Sequence, residues 1–144
     1  MFQNNKIFIL GFARSGYEAA KLLAKRGNEV ILNDLKEDQD ENKVKELESL
    51  GVMIILGSHP DDILDESFNY LIKNPGVPID HKYVLKAREL GIEVINEVEM
   101  AYRLLPHDIT LIGITGTNGK TTTTTLIYEI IKESGKSVHL TGNI

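Results

Sequence analysis

An α/β fold on a parallel sheet is what this sequence predicts, from three observations. First, one pattern occurs four times: an amphipathic helical run ends in glycine and a valine-bearing segment follows. It reads AAKLLAKRGNEVILND, VKELESLGVMIIL, VLKARELGIEVIN and IIKESGKSVHLTGN. Gly27, Gly51, Gly91 and Gly135 stand where a helix ends on a left-handed residue. Second, the segments after the glycines are short and almost uniformly apolar, as in strands buried on both faces of a parallel sheet. Third, KIFILGFARSGYEAAK runs from an apolar strand through a glycine turn into a helix.

The elements follow in order. A strand over Lys6 to Leu10 leads to a helix from about Ser15 to Arg26. A strand over Glu29 to Asn33 precedes a helix from about Glu41 to Leu50. Next come a strand over Val52 to Leu56, a short helix near Asp61 and a strand over Tyr70 to Lys73. The turn NPGVP leads to a helix over Lys82 to Leu90 and a strand over Ile92 to Ile95. NEVEMAYRLL then reads as a helical connector stopped by Pro106, and a more apolar strand, Ile109 to Thr115, opens a second glycine loop. Residues 1–105 and 106–144 are therefore expected to form separate domains.

Composition narrows the function. The net charge is −5 and the 16 Lys and Arg residues are scattered, so the basic stripe of a nucleic-acid binder is missing. No apolar run approaches a membrane span, and the five-residue apolar stretch near the start is too short for a secretory signal. With no cysteine there are no disulfides or thiolate metal sites, as is usual for a cytoplasmic protein. An acidic protein that binds a phosphorylated ligand must use backbone N–H groups and helix N-termini.

Two glycine loops offer such groups. Gly11, Phe12, Ala13, Arg14, Ser15 and Gly16 form G-x-A-x-x-G between strand and helix. Gly11 makes the tight turn and Gly16 the close helix–strand packing of a Rossmann-like nucleotide site. The methyl of Ala13 partly blocks a pyrophosphate lying against the turn. Asp34 follows the second strand, where an acid accepts from a ribose or a base. Asn74, Pro75 and Gly76 end the fourth strand and border the same cleft. The second loop is Gly116, Thr117, Asn118, Gly119, Lys120, Thr121 and Thr122. It lacks the first glycine of the strict P-loop, since position 114 is Ile114, yet the mechanics hold. Backbone N–H groups face an anion, Lys120 reaches the β- and γ-phosphates, and the Thr121 hydroxyl can ligate Mg²⁺. His59, His81, His107 and His139 lie dispersed in loops and at strand ends, and read as surface or structural.

The loop GITGTNGKTT, read with LGFARSG, ND after the second strand, GSHP, KNPGVP and NEVEMAY, resembles the Mur ligase family. The similarity is to the branch that joins D-glutamate to UDP-N-acetylmuramoyl-L-alanine with ATP, in cytoplasmic synthesis of peptidoglycan precursors. It implies a Rossmann-like UDP-binding domain followed by the opening strand, loop and helix of a central ATPase domain, so that this chain is an N-terminal fragment. Carried over by motif, Phe12 to Ser15 meet the UDP diphosphate, Ser15 through its N–H and its hydroxyl, and Asp34, Leu35 and Lys36 border the uracil. Gly76 lines the nucleotide cleft. Asn118 to Thr122 hold the ATP phosphates, with Lys120 as charge clamp and Thr121 on Mg²⁺, and Asn143 reaches the substrate near the metal. At Ala13 and Leu35, whose residue types vary in the family, only backbone contacts are carried over. The implied small molecules are the UDP-sugar, D-glutamate, ATP and Mg²⁺, with no nucleic acid and no membrane. The fragment is expected to be inactive alone, and its apolar strand at Ile109 to self-associate or add to the first sheet.

Two other readings remain open from the residues. One is a stand-alone dinucleotide-binding module without catalysis, which gives Gly116 to Thr121 no role. The other is a regulatory P-loop NTPase, for which little chain follows Lys120.

Overall fold

The computed structural model describes residues 2–142. Five strands, β1 (Lys6–Leu10), β2 (Glu29–Asp34), β3 (Met53–Leu56), β4 (Tyr70–Lys73) and β5 (Glu93–Asn96), form one sheet in the order β3-β2-β1-β4-β5. Every pairing is parallel. Helices α1 (Arg14–Lys25), α2 (Glu41–Ser49), α3 (Lys82–Glu89) and α4 (Glu97–Leu104) connect or follow them. The four helix-ending glycines have φ of 81°, 81°, 72° and 77°, as their sequence position predicts.

Alternation along the strands sorts the core into two layers. Ile7, Ile9, Val30, Leu32 and Ile72 face one side with Ala20 and Leu23 of α1, Leu47 of α2 and Met100 of α4. Phe8, Leu10, Ile31 and Leu71 face the other, against Tyr83, Val84 and Ala87 of α3 and the loop residues Leu64 and Phe68. Both faces are covered, so the central residues of the strands are apolar on either side of the sheet. Arg103 of α4 pairs with Glu93 of the edge strand at 2.8 Å, and with Glu99 one turn back in its own helix at 2.8 Å. Both carboxylates push the Arg103 pKa up.

The chain divides into two compact units, Met1–Leu105 and Pro106–Ile144. The second contains helix α5 (Lys120–Glu133), none of whose residues is buried. Three sequence expectations are corrected. The segment near Asp61 is a turn rather than a helix, stopped by Pro60 and packed through Leu64. Ile109 to Thr115 is not a strand: it pairs with no described segment, and without a ladder an apolar run stays irregular. The valine segment after Gly135 is unpaired for the same reason. Ile109, Leu111 and Ile112 are exposed, as are Leu126 and Ile130 of α5.

Candidate functional site

At the carboxyl end of β1 the chain turns on Gly11, whose φ of +110° suits glycine. The Gly11 N–H donates to the Asn33 carbonyl at 2.8 Å, and the Phe12 N–H donates to Asp34 Oδ2 at 2.6 Å. Helix α1 starts at once. Its first helical bond runs from the Tyr17 N–H to the Ala13 carbonyl, and no side chain caps it. The N–H groups of Arg14, Ser15 and Gly16 therefore point out of the helix start without a helical acceptor. The contrast with α2, α3 and α4 is direct, since Asp40, His81 and Asn96 cap those.

This end of α1 stands at the topological switch of the sheet, where β1 lies between β2 and β4 and the chain order reverses. Open parallel sheets bind ligands there. From the β4 side, the Asn74 N–H donates to the Leu10 carbonyl at 3.0 Å, and Asn74 Oδ1 accepts from the Gly76 N–H at 3.0 Å. Asn74 Nδ2 donates to Ser15 Oγ at 3.0 Å, and the Ser15 hydroxyl donates to Glu97 Oε1 at 2.9 Å. From the β2 side, the second oxygen of Asp34 accepts from the Lys36 N–H at 2.8 Å. Asp34 thus ties the first loop to the end of β2, a bracing role absent from the sequence reading. Ala13, Arg14, Leu35, Lys36, Pro75 and Gly76 are exposed. The fold brings Gly11 to Gly16, Asp34 to Lys36 and Asn74 to Gly76 together along one sheet edge.

The second loop sits in the second unit. Gly116 has φ +144° and Gly119, at the start of α5, has φ +75°. This helix also lacks a side-chain cap. Lys120 Nζ donates to the carbonyls of Gly116 at 2.6 Å and Thr117 at 3.2 Å, which leaves one ammonium proton free. Thr124 donates its hydroxyl to the Lys120 carbonyl at 2.7 Å, so it caps backbone rather than lining the loop. Thr121 and Thr122 are exposed. Asn143 lies outside the described residues. The exposed Thr121 hydroxyl is one hard oxygen that could meet a metal ion, and the described residues contain no group of three or more His, Cys, Asp or Glu side chains that could hold one.

Sequence reasoning missed three things. Glu97 is buried, and only its exposed neighbours in NEVEM would be expected of a helix start. Asn33 is completely buried and donates to the carbonyls of Ile55 and Ser58 at 2.9 and 2.7 Å. His59 and His81, read as dispersed, meet with ring centroids 5.0 Å apart beside Tyr83, and His59 Nδ1 lies 2.5 Å from Asn33 Oδ1.

The histidine pair gives a pH prediction. Burial, foremost, lowers the pKa of both. The Lys82 ammonium lowers both further, His59 adds to the effect on His81, and Asp34 and Asp80 oppose. A depressed histidine contributes stability above its unfolded pKa of about 6.5, and that stability is lost as pH falls through the folded value. His81 Nδ1 also caps α3 by accepting from the Tyr83 N–H at 3.2 Å, which a protonated ring cannot do. Urea midpoints of the chain fall between pH 6.5 and 5, before Asp61, Asp65 and Glu46, held below the usual carboxylate range, begin to contribute. His81→Asn, whose cap does not titrate, makes that fall shallower; an unchanged slope would exclude His81.

The Mur ligase MurD-like, N-terminal domain matches residues 5–96. UDP-N-acetylmuramoylalanine–D-glutamate ligases from Geobacillus kaustophilus and Streptococcus mutans are 46% and 48% identical over 143 residues. Those matches cover 99% of this chain and 31% of each relative, so the chain spans about a third of their length. Among solved structures, a UDP-N-acetylmuramate–alanine ligase from Thermotoga maritima superposes with TM-score 0.58 at 27% identity, over 92% of this chain and 30% of that one. A murein peptide ligase from Psychrobacter arcticus, with TM-score 0.63 at 21% identity over 91% of this chain and 27% of that one, shares the fold. The family match over residues 5–96, more than half of the chain, places this chain in the Mur ligase family, with those residues as its MurD-like N-terminal domain.

Proposed function

We propose that residues 1–105 bind the uridine diphosphate end of UDP-N-acetylmuramoyl-L-alanine, and that residues 106–144 open the ATP-binding domain of a cytoplasmic ligase that adds D-glutamate. The observation that carries the reading is the start of α1: three N–H groups without helical acceptors at the β1–β4 switch, bordered by Asp34 and the Asn74 turn. A helix N-terminus favours the diphosphate by its dipole and its free donors. Gly11, Phe12 and Ala13 give the loop its path, Asp34 to Lys36 border the base, and Asn74, Pro75 and Gly76 wall the cleft opposite.

The chemistry assigned to the whole protein is amide formation through an acyl phosphate. The terminal carboxylate oxygen of the UDP-sugar attacks the γ-phosphorus of ATP and ADP leaves. The amine of D-glutamate then attacks the acyl carbon, loses a proton and expels phosphate. Gly116 to Gly119 would cradle phosphates with their N–H groups, Lys120 would turn its free proton to the transferring phosphoryl, and Thr121 would hold Mg²⁺ through its hydroxyl. Bound Mg²⁺ would neutralise charge developing on that phosphoryl. Among the described residues no general base and no D-glutamate pocket accompany this loop.

Calorimetric titration of the chain tests the reading. Saturable binding of UDP-N-acetylmuramoyl-L-alanine and of UDP is expected, with no binding of NADH. No amide is expected to form when Mg·ATP and D-glutamate are added. NADH binding in preference to UDP would replace the ligase reading with a dinucleotide module.

A further inference from the structure

Glu97 has no role in the function proposed above, yet its setting is unusual. It is the first residue of α4, is 6% exposed, and projects one carboxylate oxygen, Oε1, to the Ser15 hydroxyl. Its other oxygen, Oε2, is buried and has no hydrogen-bond partner among the described residues. Burying a carboxylate with an oxygen unpaired is unfavourable, and doing so beside a loop read as an anion site is doubly so. Two helix starts, those of α1 and α4, converge on this carboxylate and favour its charge. That offsets part of the penalty without explaining why an acid stands there.

The hydrogen-bond chain supplies the explanation. It has one direction: Gly76 N–H to Asn74 Oδ1, Asn74 Nδ2–H to Ser15 Oγ, Ser15 O–H to Glu97 Oε1. A serine hydroxyl has one proton, and here Glu97 takes it. Ser15 Oγ is thereby left to accept from Asn74, which locks the β4 turn to the start of α1. Remove the carboxylate, and the hydroxyl is free to rotate and the Asn74 turn loses a fixed acceptor.

We propose that Glu97 is the positioning residue of the nucleotide cleft: it orients the Ser15 hydroxyl so that the start of α1 and the Asn74–Gly76 turn are held in register for a nucleoside diphosphate, which meets backbone N–H groups rather than the serine proton. The proposal rests on the reading of this cleft as a UDP site. It predicts that Ser15 acts through its link to Glu97, and that the carboxylate is needed as an acceptor more than as a charge.

The test is a double-mutant cycle on the chain, read by calorimetric titration with UDP and by thermal midpoint. Glu97→Ala and Ser15→Ala should each weaken UDP binding about tenfold, the loss of one hydrogen bond. The double variant should be no weaker than either single one, because the second change removes a link already broken. Glu97→Gln, which keeps an acceptor and drops the charge, should restore most of the affinity lost in Glu97→Ala. If Glu97→Ala does not fold, Ser15→Ala and Glu97→Gln carry the test, the first weak and the second closer to wild type. Losses that add, or a Glu97→Gln as weak as Glu97→Ala, overturn the positioning role while leaving the UDP site standing. A wild-type chain that does not bind UDP overturns both.

Discussion

Alanine at position 16 should destabilise the first unit by about 3 kcal/mol or more, enough to leave much of it unfolded at moderate urea. A Cβ placed on Gly16 would lie 1.9 Å from the carbonyl oxygen of Gly11 and 3.1 Å from its carbon. Both are backbone atoms at the end of β1, so no side chain can swing aside. Relief requires α1 to lift from the sheet, and α1 carries Tyr17, Ala19, Ala20 and Leu23 into the core. Two other glycines calibrate the effect. Gly11→Ala meets Asn74 Cβ at 2.9 Å and forces φ +110° on alanine, a strain of about 1–3 kcal/mol. Gly27→Ala meets nothing within 4 Å and has only its φ of +81° to overcome, about 1 kcal/mol. Urea unfolding followed by far-ultraviolet circular dichroism should rank them Gly16, then Gly11, then Gly27. A Gly16→Ala chain within about 1 kcal/mol of wild type would mean that α1 relaxes away from β1 at little cost, and the close-packing role of this glycine would fall.

The prediction for Gly16 could be made from sequence, because spacing alone puts a glycine where a helix must pass a strand end. The same holds for the helix-ending glycines and for Tyr70 to Lys73, whose apolar run and flanking turns mark a strand to the residue. What sequence did not disclose depends on who the neighbours are. Ile109 to Thr115 has the composition of a strand, yet composition cannot supply a ladder partner, and no described segment pairs with it. Asp34 reads as a free acid after β2, whereas both its oxygens accept backbone N–H groups from Phe12 and Lys36. Glu97 looks like an ordinary first-turn acid, which favours a helix start at the surface as well as in the interior. Its burial follows from α4 packing near the start of α1, a contact between residues far apart in the chain. His59 and His81 meet because the loop after β3 and the start of α3 lie on the same face of the sheet.

Asn33 shows most sharply what only the fold reveals, and Asn33→Leu should lower stability by about 3 kcal/mol. Leucine fills a similar volume, so no large cavity opens. The loss is in hydrogen bonds. The Ile55 and Ser58 carbonyls lose their donor, and the His59 ring loses Asn33 Oδ1. Unpaired polar groups cost about 1–3 kcal/mol each when fully buried, and these are part-buried, so rehydration of the loop after β3 offsets some of that. The Asn33 backbone carbonyl continues to hold the Gly11 N–H, so the turn after β1 should survive. UDP affinity is therefore expected to fall less than stability does, through a looser Asp34 rather than a lost contact. Asn33→Asp separates donor from acceptor. It keeps an acceptor for His59 while removing both donors and burying a charge next to Asp34, so at neutral pH it should be worse than leucine. It should also favour a charged His59 and make its stability less steep on acidification than that of the wild type. If instead Asn33→Leu proves as stable as the wild type, Asn33 would not be what fastens the loop after β3 to the end of β2, and the position of Asp34 would rest on its two backbone bonds alone.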